Sequence, residues 1–256
     1  MCVDRDGNFV GRPYDSGLSR YRLLEKVQSG HLSIVVRGLF SSHALNRIRC
    51  ILTHARVPFV HAPPERQHHE SRLSAASRDS PMLEIAGRPV QRLDVAMADL
   101  IPALGYSFHP AWESLIANNL DLGVRLHCSV FDWYRLATRT YAIRPPVGPA
   151  ECLLLRRQQI RYASRQRKRL GLDGRALNTT FIARRFRLAM RGAFFHGDSP
   201  GHVDLSFYGT IAGLLFAGCS AGRELVRESG LEKWTYRMDA TIPLSELFPE
   251  SRPNGF

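Results

Sequence analysis

Two groups of residues in this chain could do chemistry. The first lies in RGLFSSHALNRIRCIL, residues 37–52, where Ser41, Ser42 and His43 stand at a polar turn and Cys50 follows inside a helical pattern. Small redox and transferase folds place a nucleophile at such a helix start, because the unpaired amides there stabilise a thiolate. Cys50 falls two turns into the helix, out of reach of that dipole, and reads as a small apolar packing residue. Ser41 or Ser42 reads first as a helix cap, since serine is among the favoured residues at that position. His43, alone at the helix start, reads as solvated.

The second group is basic. Lys and Arg number 35 against 23 Asp and Glu in 256 residues, a formal net charge of +12. Residues 156–191 hold Arg156, Arg157, Arg161, Arg165, Arg167, Lys168, Arg169, Arg175, Arg184, Arg185, Arg187 and Arg191 against one acid, Asp173. The rest of the chain is close to neutral. Arg157, Arg161, Arg165 and Arg169 recur every four residues, which makes one ridge on a helix; Arg184, Arg187 and Arg191 make a similar line, with Arg185 beside it. Guanidinium forks suit phosphate oxygens, and neutralising several phosphates is how sequence-independent RNA or DNA binding gains affinity. An ordinary solvated face intersperses acids. A ridge without them points to a polyanionic partner: RNA or a ribonucleoprotein, or an anionic membrane surface touched peripherally.

Composition sets the frame for both groups. The chain is 44% hydrophobic, ample for a packed core, and no apolar run approaches the roughly 18 residues of a membrane span. The first thirty residues include Asp4, Asp6, Asp15 and Glu25, unlike a secretory signal or a transit peptide. Five cysteines without close pairs argue against a disulfide framework and for a reducing compartment. His61, His68 and His69 lack cysteines or paired acids at ligand spacing, so no metal site is expected. P-loop and GxGxxG motifs are absent.

The elements that must position these residues fall into two halves. Residues 1–30 read as an extension with one amphipathic turn at 18–27. Then HLSIVVRGL reads as a buried strand, HALNRIRCILTHA as a helix with Leu45, Ile48, Leu52 and Ala55 on one stripe, and VPFVHA as a second strand. PMLEIA and RPVQ flank a turn at Gly87, and a helix follows over about 93–104. This is a thioredoxin-like βαβ-ββα layer, residues 31–105. From 106 to 242 the periodicity is helical: about 112–122, 124–141, 150–170, 175–191, 202–218 and 231–240, with breaks at RPPVGP, GLDG and HGDSPG. Residues 243–256 read as a tail. Trp112, Trp133 and Trp234 sit at helical spacing and read as packing residues.

A thioredoxin-like layer followed by an all-α helical bundle resembles the glutathione S-transferase superfamily. RIRCILTHARVPFVHAPP resembles the first helix and second strand of its membrane-associated prostaglandin E synthase type 2 branch, which is glutaredoxin-like and transferase-like. SPMLEIAGRPV resembles the segment carrying the superfamily's cis-proline, here Pro81. FFHGDSPGHVDLSFYGTIAGL followed by LEKWTYRM resembles the branch's last core helices, with Asp204 as the aspartate that stabilises a helix start.

The resemblance implies where activity would sit. The Cys-Pro-x-Cys motif of redox-active members falls here on Ser42, His43, Ala44 and Leu45, so both sulfurs and the proline are missing. Ser42 matches the serine that donates to the glutathione thiolate in some transferase classes. The family's γ-glutamyl site falls on RLDVAM, where Asp94 would face the ligand carboxylate with like charge; its alternative role is a helix cap. Pro81 supports the fold and not the activity. The expectation is therefore a catalytically degenerate transferase-fold protein in an RNA–protein complex. The branch's mitochondrial association and the arginine excess suggest the mitochondrial ribosome or its assembly, with the cytoplasm otherwise. No cofactor is expected. Glutathione enters only under the alternative, a transferase or isomerase using Ser42.

Overall fold

Alternation in IVVR builds the first strand of the main sheet: Ile34 and Val36 are buried, while Val35 and Arg37 are half-buried on the other side. The computed structural model describes residues 2–3, 9–10, 33–38, 42–62, 82–85, 88–90, 93–140, 148–174 and 176–248. At the N-terminus β1 (Cys2–Val3) pairs antiparallel with β2 (Phe9–Val10). The amphipathic turn expected at 18–27 lies outside the described residues.

The four-stranded sheet comprises β3 (Ile34–Arg37), β4 (Val60–Ala62), β5 (Met82–Ile85) and β6 (Arg88–Val90), in the order β4-β3-β5-β6. β4 runs parallel to β3 with Val60 opposite Val35; β5 is antiparallel to β3 with Glu84 opposite Val35; β6 is antiparallel to β5. Arg37 Nε donates to Glu84 Oε1 at 2.8 Å across the β3–β5 pair. A parallel pair needs a crossover, and α1 (His43–His54) supplies it, while α2 (Leu93–Ala103) follows β6. Leu45, Ile48, Leu52, Leu83 and Ile101 join one apolar core. The expected thioredoxin-like layer is present, with shorter strands than the sequence pattern suggests.

The remaining chain is helical: α3 (Pro110–Ser114), a π-helical turn (Leu115–Leu120), α4 (Asp121–His127), α5 (Val130–Thr140), α6 (Pro149–Arg169), α7 (Thr179–Ala189), α8 (His202–Ala217), α9 (Ser220–Ser229), α10 (Glu232–Thr241) and α11 (Leu244–Leu247). Two boundaries differ from expectation. Gly123 does not end a helix. It lies inside α4, where a Cβ would stand 2.5 Å from Leu177 O, so glycine serves close packing there. The break comes at Cys128–Ser129: Ser129 Oγ accepts from Asp132 N, and Asp132 Oδ2 from Ser129 N, both at 3.1 Å, a capping box that opens α5. Asp132 Oδ1 also accepts from Ser220 N at 2.6 Å, opening α9 in a stretch to which the sequence pattern assigned no helix. Beyond residue 242, α11 forms and Phe248 is buried, stacked on Phe216.

The apolar α8 is buried on nearly every side, as a helix without a polar stripe must be. It crosses α1 at Gly209, where an added Cβ would lie 2.6 Å from Arg47 Cα. Only a bare backbone fits, so Gly209→Ala must push the two helices apart. An overpacking loss of about 1–3 kcal/mol is expected, read as a lower urea midpoint at unchanged m. Trp133 and Trp234 are buried and Trp112 packs edge-on against Phe195, all three as packing residues. Among the described residues no helix is long and apolar enough to cross a membrane.

Candidate functional site

Ser42 occupies the N-cap position of α1 with extended backbone (φ −73°, ψ 108°), and its carbonyl accepts from Asn46 N at 2.9 Å. Its hydroxyl makes no cap bond. The capping role expected of Ser42 is therefore absent, and Ser41 lies outside the described residues. Since no cap is lost, Ser42→Ala should change stability by less than about 0.5 kcal/mol, against roughly 0.5–2 kcal/mol for a working serine cap. Thermal unfolding of the pair measures this.

His43 is not solvated. It is 2% exposed, and its Nδ1 lies 2.5 Å from Asp121 Oδ1. Burial lowers the imidazole's pKa despite the acid beside it. Burial alone would raise Asp121, but Arg125 and His43 hold it well below the carboxylate range. A neutral imidazole therefore donates its Nδ1 proton to an ionised carboxylate, which Arg125 Nε also approaches at 3.0 Å. One turn along α1, Arg47 Nη1 donates to Glu113 Oε1 at 2.8 Å. Glu113 Oε2 accepts from Ser206 Oγ and from His202 Nε2, each at 2.8 Å, and His202 Nδ1 accepts from His109 N at 3.4 Å. Burial acts to raise Glu113, but Arg47, His202 and Ser206 bring it down to about 2.

The π turn explains how both acids reach α1. Residues eight apart sit about 80° apart around a regular helix. One regular turn of about 3.6 residues and one π turn of about 4.4 together take eight, so Glu113 and Asp121 return to one face. His43 and Arg47, four apart, share a face of α1. The two pairs form a two-point polar seam between the thioredoxin-like layer and the helical part. Sequence periodicity missed these residues because a helix covered on both sides looks amphipathic when only one neighbour is considered.

The thiols are packing residues. Cys50, Cys128 and Cys219 are buried free thiols, and Cys152 is buried as well. Burial pushes up the pKa values of Cys50 and Cys128, and that of Cys219 to about 12, so none of these three is a ready nucleophile. Pro81 lies outside the described residues. Asp94 is the second residue of α2, which starts at Leu93, rather than its cap; its side chain is outside the described set. His61 lies 2.8 Å from Arg49 Nη2, and burial followed by that guanidinium lowers it to about 4. His68 and His69 are outside the described residues.

The basic residues divide into two kinds. Arg157, Arg161, Arg165, Arg167, Lys168 and Arg169 on α6 are exposed, and none has an ion pair among the described residues. At about 100° per residue, Arg157, Arg161, Arg165 and Lys168 fall within about 80° of arc, opposite the buried Cys152 and Ala163. Arg169 drifts off this line and Lys168 takes its place. Arg167 Nε is turned to Leu172 O at 3.1 Å.

The α7 line is more committed. Arg184 Nε donates to Glu228 O at 3.1 Å and Arg187 Nη1 to Ser229 O at 3.3 Å, so both serve the C-terminal carbonyls of α9, where cations are favoured. Arg185 lies over the Trp112 ring, 5.8 Å from its centroid. Arg156, half-buried, donates to Cys128 O at 3.4 Å. Arg191 is exposed beyond the end of α7, and Arg175 lies outside the described residues.

The chain is similar to glutathione transferase F2 of Populus trichocarpa, with a TM-score of 0.50 and 14% identity over 84% of this chain and 97% of that one. Poplar glutathione transferase F1 gives 0.50 and 12% over 85% and 97%. Glutathione transferase F7 of Populus trichocarpa gives 0.50 and 10% over 86% and 99%. The fold is that of a glutathione transferase. No protein-family model matches the chain, and no curated protein does. Within the transferase fold, Ser42 stands at the start of the first helix, and the α6 ridge lies in the helical part, on the far side of α6 from its buried residues.

Proposed function

We propose that the chain is a catalytically degenerate member of the glutathione S-transferase superfamily, of the prostaglandin E synthase type 2 branch with its Cys-Pro-x-Cys motif lost. In this reading it serves as a structural or assembly component of an RNA–protein complex, with the mitochondrial ribosome or its assembly intermediates as the setting. One observation carries the reading: the α6 ridge of Arg157, Arg161, Arg165 and Lys168 is exposed, lacks ion pairs among the described residues, and has no acid between residues 152 and 172. A helix that keeps this much unneutralised charge in water is suited to an anionic polymer. The buried thiols support the non-redox half of the reading.

Reversing charge at Arg157, Arg161 and Arg165 to Glu should weaken RNA binding at least a hundredfold at about 0.1 M salt. Three phosphate contacts are lost and three repulsions added. Binding by filter retention that ignores both the substitutions and ionic strength would sink the proposal.

A second reading rests on the Ser42 hydroxyl, which makes no cap bond at the start of α1, where the residue is largely buried, and which in this reading donates to the glutathione thiolate. It makes the protein a glutathione-dependent transferase or isomerase. Ser42→Ala would then abolish turnover with a general electrophile while leaving the fold intact. Failure to bind millimolar glutathione ends this reading.

A further inference from the structure

The α6 ridge bears on the form of the nucleic acid as well as its charge. Arg157, Arg161 and Arg165 rise about 6 Å per step, and the run to Lys168 spans about 17 Å of straight helix. The exposed side chains of that run are Arg157, Arg161, Tyr162, Arg165, Arg167 and Lys168, and those on the ridge line itself end in cations. Apart from Tyr162, the exposed rings among the described residues lie elsewhere: Phe131 and Tyr134 on α5, Phe181 on α7, Tyr236 on α10. Tyr162 on α6 is turned about 100° from the ridge centre and has Arg125 stacked over it at 5.5 Å.

This matters because the two forms of RNA need different surfaces. A single strand exposes base faces, and proteins that hold it without sequence preference stack those faces on aromatic side chains. A duplex hides its base faces and offers regularly spaced phosphates and sugars, so charge and shape suffice. We infer that the α6 ridge contacts the sugar–phosphate backbone of double-helical RNA, independently of sequence, through Arg157, Arg161, Arg165 and Lys168. This rests on the RNA reading above and narrows it to one form of the polymer.

Four phosphate contacts give a quantitative signature. The slope of log affinity against log salt should be about −3.6, which is about a hundredfold loss between 50 and 200 mM. Replacing any one of the four by Gln should flatten the slope by about 0.9. Arg227→Gln, an exposed arginine on α9, should leave it unchanged.

The test uses the full chain with a 20-base-pair RNA duplex, either of its single strands, and vesicles containing phosphatidylserine, titrated by fluorescence anisotropy or flotation. Circular dichroism checks that each variant is folded. At least tenfold tighter binding to the duplex, with the slopes above, supports the inference. Equal or tighter binding to the single strand overturns it and leaves the RNA reading standing. Binding to neither RNA removes the RNA reading and this inference together, and vesicle binding without RNA binding assigns the ridge to a membrane surface.

Discussion

Replacing Asp204 by alanine is expected to destabilise the protein by about 4 kcal/mol, a large part of the roughly 5–15 kcal/mol that holds an ordinary domain together. The carboxylate is fully buried in the first turn of α8. Oδ1 accepts from Phe195 N and Trp234 Nε1, both at 2.9 Å, and Oδ2 accepts from Gly201 N at 3.0 Å. Three donors, from the loop before α8, from its N-cap and from α10, converge on one side chain. Alanine leaves all three buried without an acceptor, at about 1–3 kcal/mol each before relaxation.

Burial raises the carboxyl's pKa in spite of these donors, so the site tolerates a neutral group better than none. Asp204→Asn, which keeps one acceptor oxygen, should therefore recover about half the loss. Urea denaturation of the three proteins measures it. A change below about 1 kcal/mol for the alanine variant would show that water or a shifted loop meets the donors instead.

Asp204 also shows what could be read from sequence. Its place in HGDSPGHVDL follows from a helix start after a Pro-Gly break, a local signal, and resemblance gave it a role before any contact was visible. The strands were legible for the same reason: IVVR and MLEI announce period-two burial within four residues. The division between α4 and α5 was not, because Gly123 has two physical meanings, breaker and close-packer. Its packing partner, Leu177, lies far away in the chain. The capping box in Ser129–Asp132 was a local signal that could have placed the true break.

At the candidate sites the pattern repeats. The α6 ridge is a local, four-residue recurrence, and its exposure follows the sequence closely. The α7 arginines look equivalent in sequence, yet Arg184 and Arg187 are drawn to the end of α9 by carbonyls more than forty residues away. His43 and Arg47 look like the wet side of an amphipathic helix. Their partners, Asp121 and Glu113, come from the other half of the protein, and only the π turn puts both acids on one face.

That seam gives the other large effect. Glu113→Ala should cost about 3–5 kcal/mol, because it strands the buried Arg47 guanidinium and leaves His202 and Ser206 without their acceptor. Arg47→Met leaves a buried carboxylate still held by two donors, so its loss should be smaller. The double variant should lose less than the two singles combined, with a coupling of about 1–3 kcal/mol. Acid adds a second readout. Glu113 falls from an ordinary 4.5 to about 2 in the folded protein, so its contribution is complete above the ordinary value and is lost as pH drops through about 2. Asp121, held low by Arg125 and His43 against its burial, acts in the same sense. Wild-type stability should therefore decline between about pH 4.5 and 2. The Arg47→Met variant, whose glutamate no longer has the guanidinium to hold it low, should lose less stability over this range and finish its decline at a higher pH. Identical acid profiles would mean that the seam holds Glu113 by its hydrogen bonds alone, with the arginine contributing packing and no field.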